Sequence, residues 1–125
     1  MAKLGRYSAD KKKTMEVGAD TTLTNNDCGK IIFVTATCTI TLPDAAAVGA
    51  GWWCKIIKNF GTGNVINIVA TSDLNGVGRA DSGTIFNNDI SFHTDATKGT
   101  VLEIISDGTQ WFAVGIASSA DGFNV

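Results

Sequence analysis

The residue types that most often carry chemistry are scarce in this sequence: it has three cysteines, Cys28, Cys38 and Cys54, and a single histidine, His93. No two cysteines form a CxxC pair, so the spacing does not predict a zinc site. A Cys–His nucleophile pair would need a local signature around His93, and none is present, so we interpret His93 as a surface or packing residue. We expect three reduced thiols, of which Cys38 and Cys54 lie in apolar strand patterns.

The acidic and glycine-rich segments do not predict a catalytic site either. Four aspartates fall in turn-rich segments, where an Asp side chain caps its own backbone: Asp73, Asp81, Asp89 and Asp95. The glycines of the NGVG segment at 75–78 have no following Lys-Ser/Thr, so they are interpreted as turn glycines and not as a phosphate loop. The sequence therefore predicts a protein that is not an enzyme and that uses neither a cofactor nor a metal.

Positive charge is concentrated at the N-terminus. Of ten basic residues, five precede residue 14: Lys3, Arg6, Lys11, Lys12 and Lys13. The net charge is −2, so the remaining body is acidic. This asymmetry predicts an extended arm over 1–13 that docks on a negative surface, with Tyr7 as an anchor. The alternative is a solvated terminus without a role. Nucleic acid is not the favoured partner, because the tryptophans fall in strand patterns and not on a basic surface.

From residue 14 onward, short apolar runs alternate with Gly, Asn, Asp and Ser, which is typical of a β-protein. A chain of 125 residues corresponds to one domain, here 14–125. Strands are predicted at 14–17, 30–35, 37–42, 52–58, 65–69, 84–86, 90–93, 101–106 and 111–116, with one helical turn at 44–48. Asp107-Gly108 predicts a hairpin between the last two strands. We expect an all-β fold: an antiparallel β-sandwich or small β-barrel, of jelly-roll or β-tulip type, with an N-terminal extended arm.

Two of these strands are apolar on both faces. Segment 37–42 alternates cleanly, with Cys38 on its apolar side. The 52–58 strand instead carries Trp53 and Ile57 on its second face, and the 101–106 strand carries Val101 and Ile105. A face that is half apolar needs cover. We therefore predict that these four residues form a subunit interface in a homo-oligomer.

The first thirty residues contain no apolar signal segment, and no apolar run reaches membrane-spanning length. We therefore expect a soluble protein that is made in the cytoplasm, is not exported by the ordinary route and has no membrane partner.

Four short motifs occur in an order that resembles a β-domain of tailed-bacteriophage structural proteins, found in tail-fibre segments and in capsid decoration (cement) proteins. They are TITLP at 39–43, AAAVGAG at 45–51, KIIKN at 55–59 and SDGTQW at 106–111. The resemblance spans roughly residues 20–117. The basic arm, the Met start and the lack of a fibrous shaft favour a decoration protein.

The resemblance implies a homotrimer on the outer surface of the phage head, bound to the major capsid protein and stabilising the capsid lattice. It implies no cofactor, and it makes Lys3, Arg6, Tyr7, Lys11, Lys12 and Lys13 the capsid-binding arm. The alternative function is a tail-fibre or receptor-binding module that recognises a glycan or protein on the host surface.

Overall fold

The structure, a computed structural model, describes residues 11–61, 65–76, 89–92, 96–116 and 123–124. These ranges contain eleven strands: β1 (Lys13–Val17), β2 (Thr21–Thr22), β3 (Lys30–Val34), β4 (Cys38–Thr41), β5 (Trp53–Lys58), β6 (Ile66–Val69), β7 (Leu74–Gly76), β8 (Asp89–Phe92), β9 (Val101–Ser106), β10 (Trp111–Ile116) and β11 (Phe123–Asn124). A 3-10 turn (Asn25–Asp27) and the single helical turn α1 (Ala45–Val48) complete the described elements. The predicted all-β class is confirmed.

The strands form two sheets that pack face to face. The six-stranded sheet has the order β1-β3-β5-β9-β10-β7, and the five-stranded sheet has the order β11-β8-β6-β4-β2. Neither sheet closes on itself within the described strands, so the fold is a β-sandwich rather than a barrel. Between them lies a core built from the inward residues of every main strand.

The strand directions correct the prediction of an antiparallel sandwich. Five of the nine strand pairs are parallel, including β1 with β3, β3 with β5, β2 with β4 and β4 with β6. The first six strands alternate between the sheets, so the chain winds around the core in three stacked coils, β1–β2, β3–β4 and β5–β6. The antiparallel pairing begins where β8 and β9 run back along β6 and β5.

Side-chain alternation sets which residues enter the core. In β4, Cys38 and Ile40 are buried while Thr39 and Thr41 are half-buried on the other side, as predicted. In β5 and β9 the buried residues are Cys54, Ile56, Lys58, Leu102, Ile104 and Ser106. At about 25 cal/mol per Å² of apolar surface, this burial is the main stabilising contribution to the fold.

The strand predictions hold at most positions. The predicted 101–106 and 111–116 strands have the observed bounds of β9 and β10, and the helical turn is α1, one residue shorter than predicted. The predicted strand at 84–86 lies outside the described residues. Strands β2, β7 and β11 were not predicted. No helix in the described part of the chain is long and apolar enough to cross a membrane.

Candidate functional site

The outer side of the six-stranded sheet carries a continuous apolar surface. Along β5 and β9, every second residue points away from the core, because the intervening residues are buried against the second sheet. We call this surface the apolar face. Its members are Phe33 on β3, Trp53, Lys55 and Ile57 on β5, Val101, Glu103 and Ile105 on β9, and Phe112 and Val114 on β10.

The sheet register brings together the four residues predicted to form a subunit interface. Trp53 lies directly opposite Ile105, and Ile57 lies directly opposite Val101 on the neighbouring strand. Such cross-strand partners have Cβ atoms about 4.5–5.5 Å apart. The four residues thus share one surface, and their role as an interface stays a prediction.

Exposure distinguishes this face from the rest of the described surface. Of the four large apolar residues that are exposed in the described ranges, three lie here: Ile105 at 44%, Phe112 at 39% and Val114 at 69%. The outer side of the five-stranded sheet is mostly polar instead, with Thr39, Thr41, Asn67 and Ser91 beside the fourth exposed apolar residue, Val69. One sheet is therefore suited to water and the other to a partner.

One ion pair lies at the centre of the apolar face. The Lys55 Nζ is 3.7 Å from Glu103 Oε2, and the two side chains are 32% and 51% exposed. They are direct cross-strand neighbours, between the Trp53–Ile105 and Ile57–Val101 pairs. A depression of about 250 Å³ opens beside them, lined by Lys55, Val101, Glu103, Ile105, Phe112 and Val114.

Two of the four motifs that carry the resemblance, those at 45–51 and 106–111, meet at one end of the sandwich. The Ser106 hydroxyl donates to the carbonyl of Ala45 at 3.3 Å and accepts from the Gly108 amide at 3.0 Å. The Gly51 amide donates to the Ser106 carbonyl at 2.8 Å. These contacts dock the SDGTQW turn on α1 and on the glycine turn that follows it. These two motifs therefore have a structural role, because they fix the hairpin turn against α1.

The turn of the β9–β10 hairpin lies at the same end of the sandwich. Both Asp107 carboxylate oxygens accept bonds, and Oδ1 takes the amides of Thr109 and Gln110, each at 2.9 Å. Backbone hydrogen bonds, first from Gln110 and then from Thr109, lower the pKa of Asp107 to about 2. Gly108 has a φ of 98°, a conformation that suits glycine. The turn spans 107–110, longer than an Asp-Gly pair alone.

The three cysteines are free thiols. Cys28 is exposed, whereas Cys38 and Cys54 are buried. Burial raises the pKa of the Cys54 thiol to about 12 and raises that of Cys38 as well. Within the described ranges, no group of three or more His, Cys, Asp or Glu side chains is placed to hold a metal ion.

The other residues considered for chemistry are not brought together by the described structure. Asp73 is exposed, and its carbonyl accepts the Trp111 amide at 2.8 Å. Asp89 begins β8, and His93, Asp81, Asp95 and Gly78 lie outside the described residues.

The predicted arm is described only at its end. Lys3, Arg6 and Tyr7 lie outside the described residues, while Lys11, Lys12 and Lys13 are exposed. Lys13 is the first residue of β1, where it pairs with Lys30 of β3. The regular structure thus begins one residue earlier than the predicted boundary of the arm.

Two charged residues inside the fold were missed at the sequence level. Lys58 is fully buried, and its Nζ donates to the Ala96 carbonyl at 2.7 Å. Lys58 occupies the same alternate positions of β5 as the buried Cys54 and Ile56, and this spacing in the sequence could have predicted its burial.

Asp27 accepts hydrogen bonds from Lys30 Nζ at 2.7 Å and from the Thr24 amide at 2.9 Å. Burial raises the pKa of Asp27, but these bonds outweigh it and leave the pKa lowered.

The chain matches no protein-family model and no curated protein.

Proposed function

We propose that this protein is a decoration protein of a tailed-bacteriophage head, which binds the outer capsid surface as a homotrimer and stabilises the lattice. The observation that carries this proposal is the apolar face, where Ile105, Phe112 and Val114 stay exposed on a regular sheet. A surface of this kind favours a function in assembly, because exposed apolar area is stabilised by burial against a partner.

The sequence motifs support the phage class. They resemble a β-domain of phage structural proteins, and two of them, at 45–51 and 106–111, are in direct contact in this fold. The basic residues before β1 support attachment to an acidic surface of the major capsid protein.

The test uses undecorated heads of a tailed phage and the full-length protein. We expect the protein to sediment with the heads and to raise the temperature at which they rupture. Binding should weaken as salt rises from about 0.05 to 0.5 M, because the arm contributes exposed charges. A matched pair of variants, Lys12→Glu in the arm and Lys98→Glu in an exposed turn of the body, separates the arm from net charge.

Two results would argue against the proposal. Lys12→Glu should weaken binding to heads, and Lys98→Glu should not, so equal effects would remove the arm from the mechanism. Binding to host cells together with no binding to heads would instead favour the receptor-binding module.

A further inference from the structure

The charges on the apolar face have an arrangement that a second copy of the same face can satisfy. Lys55 and Glu103 are side by side across β5 and β9, whose other outward residues are apolar, and Glu16 of β1 adds a negative charge at the edge beside Phe33. Apolar residues flank them on both sides along the strands, Trp53 with Ile105 and Ile57 with Val101. The pattern is therefore positive on the β5 side and negative on the β9 side, within an apolar frame.

From this arrangement we infer that the apolar face is a self-association surface, on which Lys55 of one copy meets Glu103 of the next. The occupant is a second copy of this chain. The inference rests on the homo-oligomer of the proposed function, and it is independent of the capsid.

The charges select the direction of the symmetry axis. Rotation of a copy about an axis parallel to the strands exchanges the β5 and β9 sides, so that Lys55 lies over Glu103 and Trp53 over Ile105. Rotation about an axis that crosses the strands at right angles places each strand over the same strand of the other copy, so that Lys55 lies over Lys55. Like charges brought together at an interface are strongly unfavourable, so the axis parallel to the strands is selected.

The apolar residues fit the same arrangement. Under rotation about the strand-parallel axis, Ile57 meets Val101 and Trp53 meets Ile105, so the apolar pairs that flank the two charges cover one another. Sheets that pack face to face keep their strands within about 30° of each other, so this order of contacts is maintained across the interface. A two-fold axis parallel to the strands gives this face-to-face arrangement. A three-fold axis parallel to the strands inclines neighbouring faces and brings together only the β5 side of one copy and the β9 side of the next, which also places Lys55 beside Glu103.

The experiment measures mass in solution by sedimentation and light scattering, without capsids. Wild-type protein is expected to associate at about 100 µM, and Lys55→Glu or Glu103→Lys alone should weaken association about tenfold or more. Lys98→Glu, an equal change of charge in an exposed turn, should leave it unchanged. Thermal unfolding checks that each variant folds, since a solvent-exposed ion pair contributes little to stability.

Mixing the two variants separates contacts between copies from the pair within one copy. Lys55→Glu makes the centre of the face negative, and Glu103→Lys makes it positive, so an equal mixture should associate although neither variant does so alone. Mixing does not restore the pair within a subunit. A dimer with one copy of each variant places opposite charges at both contacts between positions 55 and 103. A ring of three must contain two copies of one variant, so one of its contacts joins like charges. The mass of the assembly in the mixture therefore shows whether the symmetry is two-fold or three-fold.

Three results would overturn the inference. They are wild-type protein that stays monomeric at about 1 mM, single variants that associate as wild type does, or a mixture of folded variants that stays monomeric. None of these results bears on binding to heads, so the assay with undecorated heads still decides the proposed function separately.

Discussion

The indole of Trp52 meets the indole of Trp111 edge to face, with ring centroids 5.3 Å apart and ring planes at 76°. Trp52 precedes β5 and Trp111 begins β10, so this contact joins two parts of the chain that are distant in sequence. The Trp52 indole also donates to the Asn25 carbonyl at 3.2 Å. The pair lies at the end of the sandwich where the SDGTQW turn docks on α1.

Trp111→Ala is expected to lower the free energy of unfolding by about 3–5 kcal/mol, because the side chain is fully buried and its removal leaves a cavity. Chemical denaturation measures the loss. The neighbouring residue provides a control: Phe112 is 39% exposed, and Phe112→Ala should cost no more than about 1 kcal/mol. Equal losses for the two variants would contradict the orientation of β10.

The three thiols should differ sharply in reactivity. In native protein at about pH 8 a thiol reagent should label Cys28 alone, because Cys38 and Cys54 are buried and the thiolate is the reactive form. The raised pKa of both buried thiols reduces their reactivity further. All three should react after unfolding. In Cys28→Ser, native labelling should disappear, and fast labelling of that variant would show that a buried strand is misplaced.

Asp107 should make stability dependent on pH in the acid range. Its folded pKa is about 2 against an ordinary 3.8, so its contribution is fully present above about pH 4 and is lost as the pH falls towards 2. The difference in Tm between wild type and Asp107→Ala should therefore be constant near neutrality and shrink below about pH 4. Asp107→Asn, which keeps a neutral acceptor, is the control. A gap that persists at pH 2 would contradict the role of the carboxylate.

Gly108→Ala should destabilise the protein by about 1–2 kcal/mol, since a φ of 98° is unfavourable for a residue with a side chain. The added Cβ would also lie 3.4 Å from the Ala50 amide nitrogen. Gly61→Ala is the matched control, because Gly61 has no such φ and nothing lies within 4 Å of its Cβ position. Thermal unfolding compares the two, and a larger loss for Gly61→Ala would contradict the described turn.

Deletion of residues 1–12 should leave the body folded, because β1 begins at Lys13. We expect an unchanged Tm together with loss of binding to undecorated heads. Deletion through Val17 would also remove β1, whose Val17 is buried, and should lower the Tm. Undiminished binding of the shorter deletion would show that the arm has no part in attachment.

The alternation of apolar and polar residues predicts which face of each strand is buried, but it does not predict whether neighbouring strands run parallel or antiparallel. The pattern around Ile40 and Ile104 identifies the inward residues correctly, because side chains alternate with a period of two in either kind of sheet. The parallel pairing of β3 with β5 depends on how the chain returns after β4, which alternation does not encode. Strands β2 and β7 have two and three residues, too few to show a period.

The candidate site was accessible from sequence for the same reason. Trp53, Ile57, Val101 and Ile105 were recognised as a second apolar face, and the structure places them together. The contribution of β10 to this face was not recognised, because Phe112 and Val114 become its neighbours only through the β9–β10 register. The pairing of Lys55 with Glu103 likewise depends on the register between β5 and β9, which are distant in sequence.

The three stacked coils also bear on how the protein forms during synthesis. Each coil, β1–β2, β3–β4 or β5–β6, is made from a contiguous piece of chain, and each pairs with the coil that leaves the ribosome immediately before it. The N-terminal half can therefore assemble in the order of translation, with a low sequence separation between partners. Strands β8 and β9 emerge later and pair with β6 and β5. Until they do, the third coil has an open edge with which a wrong strand can pair.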